Sequence, residues 1–173
     1  MAVGVLALTV SAALYTFGSL HTPNYAVSLF GQSGVSANII KGDLGTAMLG
    51  LALYQLVLAL WMFGRLPGFG PGPTPVHAAH RAGGALLFLL SLPIAYHCIT
   101  AYGVQLTTAR VSLHSLAGCF FYGAFAAKIV IVRSRHLPGL ALPLAGGTLV
   151  TLIAVLWYTA ALWQLNGFSS PGF

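Results

Sequence analysis

Apolar residues run along this chain in five long blocks, separated by short stretches where glycine, proline and charge collect. The blocks are Ala2 to Leu20, Leu44 to Phe63, Val76 to Tyr102, Ala109 to Val132 and Leu140 to Leu165. Each is close to the roughly twenty residues that a helix needs to cross hydrocarbon. No strand-length alternation of polar and apolar residues recurs, and a lipid interior admits only helices or closed barrels. The pattern predicts an all-α integral membrane protein, a single domain of five transmembrane helices. The first block lacks a basic start and is long for the apolar region of a signal peptide, so it is read as a span.

The breaks between blocks differ in kind. The first, "HTPNYAVSLFGQSGVSANIIKGD", is long and polar and reads as a loop from His21 to Asp43. The second, "GRLPGFGPGPTP", is a glycine and proline linker that cannot be helical. The third, Gly103 to Thr108, is short enough for a tight hairpin, which makes the third and fourth spans antiparallel neighbours. The fourth, "RSRHLPG", carries a helix-stop signature.

Composition sharpens the class. Only 5% of the 173 residues are charged against 58% hydrophobic, and Asp43 is the single acid. A water-soluble domain carries about a quarter charged residues. The net charge of +6 does not point to nucleic acid, because the seven Lys and Arg lie singly at block ends. Such positions carry topology signals. Arg65, Arg81, Arg133 and Arg135 mark the second and fourth loops, and Lys41 and Arg110 the opposite side. The excess places the second and fourth loops in the cytoplasm, with the N-terminus inside and the C-terminus outside. No internal repeat suggests an inverted-repeat transporter.

The candidate chemistry is imidazole. His97 and His114 stand about eight residues on either side of the third loop's centre, so they sit level across an antiparallel pair. Ionisable groups at such depth are costly and usually functional. Two level imidazoles form a natural bis-axial site for haem b, making the chain a haem-binding helical bundle. Gly118 and Gly103 would let a flat macrocycle approach the backbone, and Pro93 can bend its helix around one. Arg110 and Lys41 are candidate partners for its propionates, and Tyr96 and Tyr102 candidate donors. The plain alternative is that a membrane histidine hydrogen-bonds a neighbouring helix. Zinc would want four ligands, which no local cluster supplies.

His80 and His136 are candidates for a second haem. His136 falls about 33 Å along the helix from His114, at the interface, and His80 is about a quarter turn off the face of His97. His77, His80 and His136 otherwise read as interfacial residues beside Arg81 and Arg135 in a wetted region, and His21 as a loop residue or an outer-surface group. No Cys-x-x-Cys-His occurs, so covalent c-type attachment is excluded. Cys98 and Cys119 read as apolar packers, too different in depth for a disulfide. Trp61, Trp157 and Trp163 read as interfacial anchors or core aromatics. Asp43 reads as a partner of Lys41 or Arg110, or as a proton acceptor at a quinol site.

Two stretches, "PVHAAHRAGGALLFLLSLPIAYHCITAYG" and "ARVSLHSLAGCFFYGAFAAKIVIVRSRHLPG", resemble the small haem-b membrane cytochromes of the b-561 kind. They resemble more closely an uncharacterised actinobacterial membrane family with the same histidine-rich hairpin. The likeness covers spans three to five well and spans one and two loosely. It implies His97 and His114 as haem ligands, His80 and His136 as a second pair, and electron transfer between quinol or ascorbate and another carrier. It further implies a multi-pass protein of the bacterial cell (inner) membrane. The chain departs from the b-561 kind in having no histidine in span two or span five.

The expected function is therefore a membrane cytochrome b, or a subunit of one, passing electrons between quinol and a redox partner. With so little soluble mass the chain needs such a partner, and an iron–sulfur protein or a c-type cytochrome would serve. The rival expectation is a non-redox anchor or assembly subunit whose histidines bond between helices.

Overall fold

A computed structural model of the chain describes residues 2–134 and 138–169. Its helices are α1 (Ala2–Leu20), α2 (Gly34–Met62), α3 (Thr74–Tyr102), α4 (Ala109–Arg133) and α5 (Ala141–Leu156). A π-helical turn, Trp157–Ala161, continues α5 into the short α6 (Leu162–Leu165). Among the described residues there is no strand, only an isolated bridge between Leu29 and Gln32. Five helices, the last running through the π-turn to Leu165, are long and apolar enough to cross a membrane. Their outward surface is apolar as well: Leu8, Phe17, Leu89 and Val132 are all about 60% exposed.

Four expected spans match the helices closely. The exception is α2, which starts at Gly34 and not at Leu44. The polar residues that read as loop lie on the helix, where Asn38, Lys41, Gly45 and Met48 fall three or four apart. All four line an internal cavity. Polar groups there face inward, the reverse of the soluble pattern.

Between apolar helices in lipid there is little hydrophobic driving force, so close packing of small residues and hydrogen bonds hold a bundle together. α1 packs on α4, α4 on α5, α5 and the π-turn on α2, and α2 on α3. The α1–α4 seam is built on small residues. A side chain at Gly123 of α4 would run into Ser11 Oγ and the Ala7 carbonyl of α1. Both Ser11 and Gly123 are buried.

The short third loop predicts α3 and α4 as packed neighbours. Their backbones instead stand apart, and the connection between them leans onto α1. Gly103 ends α3 at φ 69°, a conformation side chains disfavour. A Cβ there would also lie 2.8 Å from the Gly18 carbonyl. The next residue, Val104, donates its N–H to that carbonyl at 2.9 Å. Thr108 then caps α4 by accepting from Val111 N–H at 3.3 Å.

Large side chains bridge the resulting cleft at mid-height. Phe88 of α3 stacks on Phe125 of α4 with centroids 4.4 Å apart. Tyr122 Oη reaches the Ser91 carbonyl at 3.1 Å and Ser91 Oγ at 3.0 Å. Phe121 joins this layer to the buried cluster of Met48, Ala52, Leu87, Leu149 and Ile153.

Gly123→Leu should lower the thermal midpoint in detergent, since overpacking a tight contact costs about 1–3 kcal/mol. Gly4→Leu is the control, for nothing lies within 4 Å of its position. Equal midpoints for the two variants would contradict the tight α1–α4 seam.

Candidate functional site

The aromatic layer divides the cleft into two cavities. The upper one, at the end of the α3–α4 connection, has a volume of about 560 Å³. The lower one, toward the α2–α3 connection, has about 1000 Å³. Both lie within the range typical of ligand sites.

His114 lies on the wall of the upper cavity, with Gly118 one turn further along α4. A Cβ at Gly118 would meet only Leu156 Cδ2, at 3.9 Å, so this wall is open. The orientation of His114 comes from the π-turn. Thr159, fully buried, donates its hydroxyl proton to the Val155 carbonyl at 2.7 Å. A hydroxyl has one proton, so Thr159 Oγ1 must accept from His114 Nδ1–H, at 3.0 Å. In that tautomer Nε2 of His114 carries the lone pair. Ligating histidines are typically oriented by such a bond from the other ring nitrogen.

The same π-turn fixes Arg110. Its Nη1 donates to the Thr159 carbonyl at 2.7 Å, and its guanidinium lies 4.1 Å from the Trp163 ring centre. Lys41 Nζ lies 4.5 Å from the ring centre of Tyr102. Tyr102 Oη donates to Asn38 Oδ1 at 3.2 Å. Lys41, Arg110, Asn38, Tyr102 and Gln105 all line the upper cavity. The site thus has a basic, polar end, an imidazole lone pair and apolar walls from Met48, Ile94 and Leu156.

His97 is placed elsewhere. It is 1% exposed but is not on the cavity wall. Its Nε2–H donates to the Val27 carbonyl in the first loop at 3.1 Å. The cavity face of α3 carries Ser91, Ile94, Ala95, Cys98 and Tyr102. At about 100° per residue, His97 lies roughly a third of a turn off that face. The structure therefore does not bring His97 and His114 together. The expectation matched their depth along the helices and left out their direction around them. His21 acts with His97: its Nε2–H donates to the Thr100 carbonyl at 3.1 Å, which also accepts from Asn24 N–H. Together they tie the first loop to the last turn of α3.

The other candidates divide in the same way. His77 and His80 share the cavity face of α3 and line the lower cavity. His136 and Arg135 lie outside the described residues. Tyr96 is 66% exposed and faces away from the bundle. Cys98 and Cys119 are free thiols that both line the upper cavity. Asp43 is exposed, and among the described residues it forms no ion pair with Lys41 or Arg110. Two residues apart on one helix, Asp43 and Lys41 point to nearly opposite sides. No group of three or more His, Cys, Asp or Glu among the described residues could hold a metal ion. Sequence reasoning missed Thr159, Gln55 and the π-turn, because a π-turn leaves the apolar pattern of a span unchanged.

The chain belongs to DUF6529, a family of unknown function. The family match covers residues 1–172. No curated protein and no solved structure shows significant similarity to the chain.

Thr159→Val should leave His114 Nδ1–H without its acceptor, whereas Thr159→Ser should retain it. Nitrogen-15 NMR of histidine-labelled protein should show the Nδ1–H tautomer of His114 in wild type and Thr159→Ser only. The valine variant should lose about 1–3 kcal/mol of stability, the cost of an unsatisfied buried donor. An unchanged tautomer in Thr159→Val would disprove the assignment.

Proposed function

We propose that the chain is a membrane electron-transfer protein of the cytochrome b type, with haem b in the upper cavity and His114 as an axial ligand. The observation that carries this reading is His114 on the open wall of the upper cavity, its ring held through Nδ1 by Thr159. The donor set fits one imidazole ligand to a flat, carboxylate-bearing macrocycle. Gly118 leaves room for close approach, and Arg110 and Lys41 supply cations for propionates at the basic end. Bound haem would supply one-electron chemistry, with a potential set by its ligands and burial. His114 orients and donates its lone pair, Thr159 fixes the tautomer, and the apolar walls exclude water. His97 takes no part in ligation in this reading, because it does not line the upper cavity.

The electron donor in this reading is membrane quinol, and the acceptor a redox partner such as an iron–sulfur protein or a c-type cytochrome. Arg65, Arg81 and Arg133 at the lower end outnumber Lys41 and Arg110 at the upper end. By the positive-inside rule the lower end is cytoplasmic, the N-terminus inside and the C-terminus outside, in a bacterial cell membrane.

A second reading, a non-redox anchor or assembly subunit, has support of its own. His21 and His97 serve as hydrogen bonders between a loop and a helix, the role that reading gives to membrane histidines.

The test is a reduced-minus-oxidised spectrum with a pyridine haemochrome count, on protein expressed with ample haem. Wild type should show a b-type band, and His114→Ala should lose it while keeping a folded-protein melting transition. His97→Ala should retain haem, provided the fold survives. Haem-free, well-folded wild type would leave the anchor reading standing, and full haem content in His114→Ala would refute the assigned ligand.

A further inference from the structure

The lower cavity carries a separate set of observations. Every charged group on its wall is basic: Arg65, Arg81, Lys128 and Arg133, joined by His77 and His80. The one acid in the chain, Asp43, is not on that wall. Among these basic groups stand polar side chains without partners. Gln55 of α2 is 7% exposed, and neither its Oε1 nor its Nε2 has a hydrogen-bond partner. Gln55 packs directly against Gly83 of α3, where any side chain would displace it. His80 Nδ1 is likewise buried without a partner. Both residues line the cavity. Above them the walls are apolar, from Leu87, Phe88, Phe121, Phe125, Leu149 and Ile153.

An unpaired buried amide costs free energy, about 1–3 kcal/mol for each unsatisfied group. Gln55 Nε2, and His80 Nδ1 in its Nδ1–H tautomer, are donors that point to a ligand with acceptors, and the walls above them call for apolar bulk. The cavity is cationic and hydrogen-bonding at its end toward the α2–α3 connection and apolar toward the aromatic layer. A glycerophospholipid is divided in the same way, with phosphate and ester oxygens at one end and acyl chains at the other. Basic recesses between transmembrane helices on the cytoplasmic side bind such anionic headgroups. A zwitterionic lipid would bring an ammonium group to a wall with no acid. Free phosphate would leave the apolar tier unfilled.

We propose that the lower cavity binds an anionic phospholipid between α2, α3, α4 and α5, with its phosphate at Arg81 and Lys128, its ester oxygens at Gln55 and His80, and its acyl chains against Phe88 and Phe125. Arg65 and Arg133 form the basic approach. The proposal is independent of haem in the upper cavity.

The experiment is native mass spectrometry, with lipid extraction, on the full chain purified in mild detergent. Thermal shifts are then measured with phosphatidylglycerol, phosphatidylcholine, inorganic phosphate and haemin added in turn. Phosphatidylglycerol should be retained and should raise the midpoint, while phosphatidylcholine and phosphate should not. Arg81→Gln with Lys128→Gln should weaken retention by about tenfold or more, given about 1 kcal/mol per basic residue near an anionic headgroup. Gln55→Leu, which changes no charge, should weaken it about fivefold through the lost hydrogen bonds. If the double variant does not fold, the wild-type preference for phosphatidylglycerol over phosphatidylcholine decides. Equal retention of the two lipids, an equal shift from phosphate alone, or haem or a quinone recovered in place of lipid with the same sensitivity to these substitutions would each overturn the proposal.

Discussion

The bundle depends on the layer of side chains that spans the gap between α3 and α4. Tyr122 and Phe125 reach from α4 to Ser91 and Phe88 of α3. Their size sets the separation of the two helices, and the separation creates the two cavities. In hydrocarbon a void between backbones would otherwise close, because nothing opposes the tighter packing that small residues allow. The α1–α4 seam shows that tighter mode, with Gly123 against Ala7 and Ser11. One chain thus uses glycine where helices must touch and large aromatics where they must not.

The fold was legible because the span pattern is written in composition. Each apolar block became a helix, four of the five with similar extent, and the glycine and proline linker stayed outside them up to Pro73. Where the reading went astray, polarity was the cause. Asn38 and Lys41 read as loop because polar residues in a water-soluble chain face solvent. Here they lie on a helix and face an internal cavity. Length and hydropathy do not distinguish an inward polar face from an exposed one.

The site was legible in part, for a related reason. Counting residues from a turn gives depth along a helix, and by that measure His97 and His114 looked like a pair. Direction around the helix needs a reference face. The sequence offers one only in hindsight, in the spacing of His77, His80, Gly84, Ser91, Cys98 and Tyr102 along α3. His97 falls off that stripe and serves the first loop. His114 stays on the cavity wall because Thr159 holds its ring there. The π-turn that presents Thr159 has no signature in hydropathy. π-turns are frequent at functional sites, and here one turn anchors both His114 and Arg110.

The aromatic layer also governs what can pass from one end of the bundle to the other. A septum of packed rings, backed by Leu87, Phe121 and Ile153, stands between the two cavities. Hydroxyl groups do cross it: Tyr122 bonds to Ser91, whose own hydroxyl goes to the Phe88 carbonyl at 2.6 Å. The partition keeps the two cavities apart and yet carries a file of hydroxyl groups through its thickness.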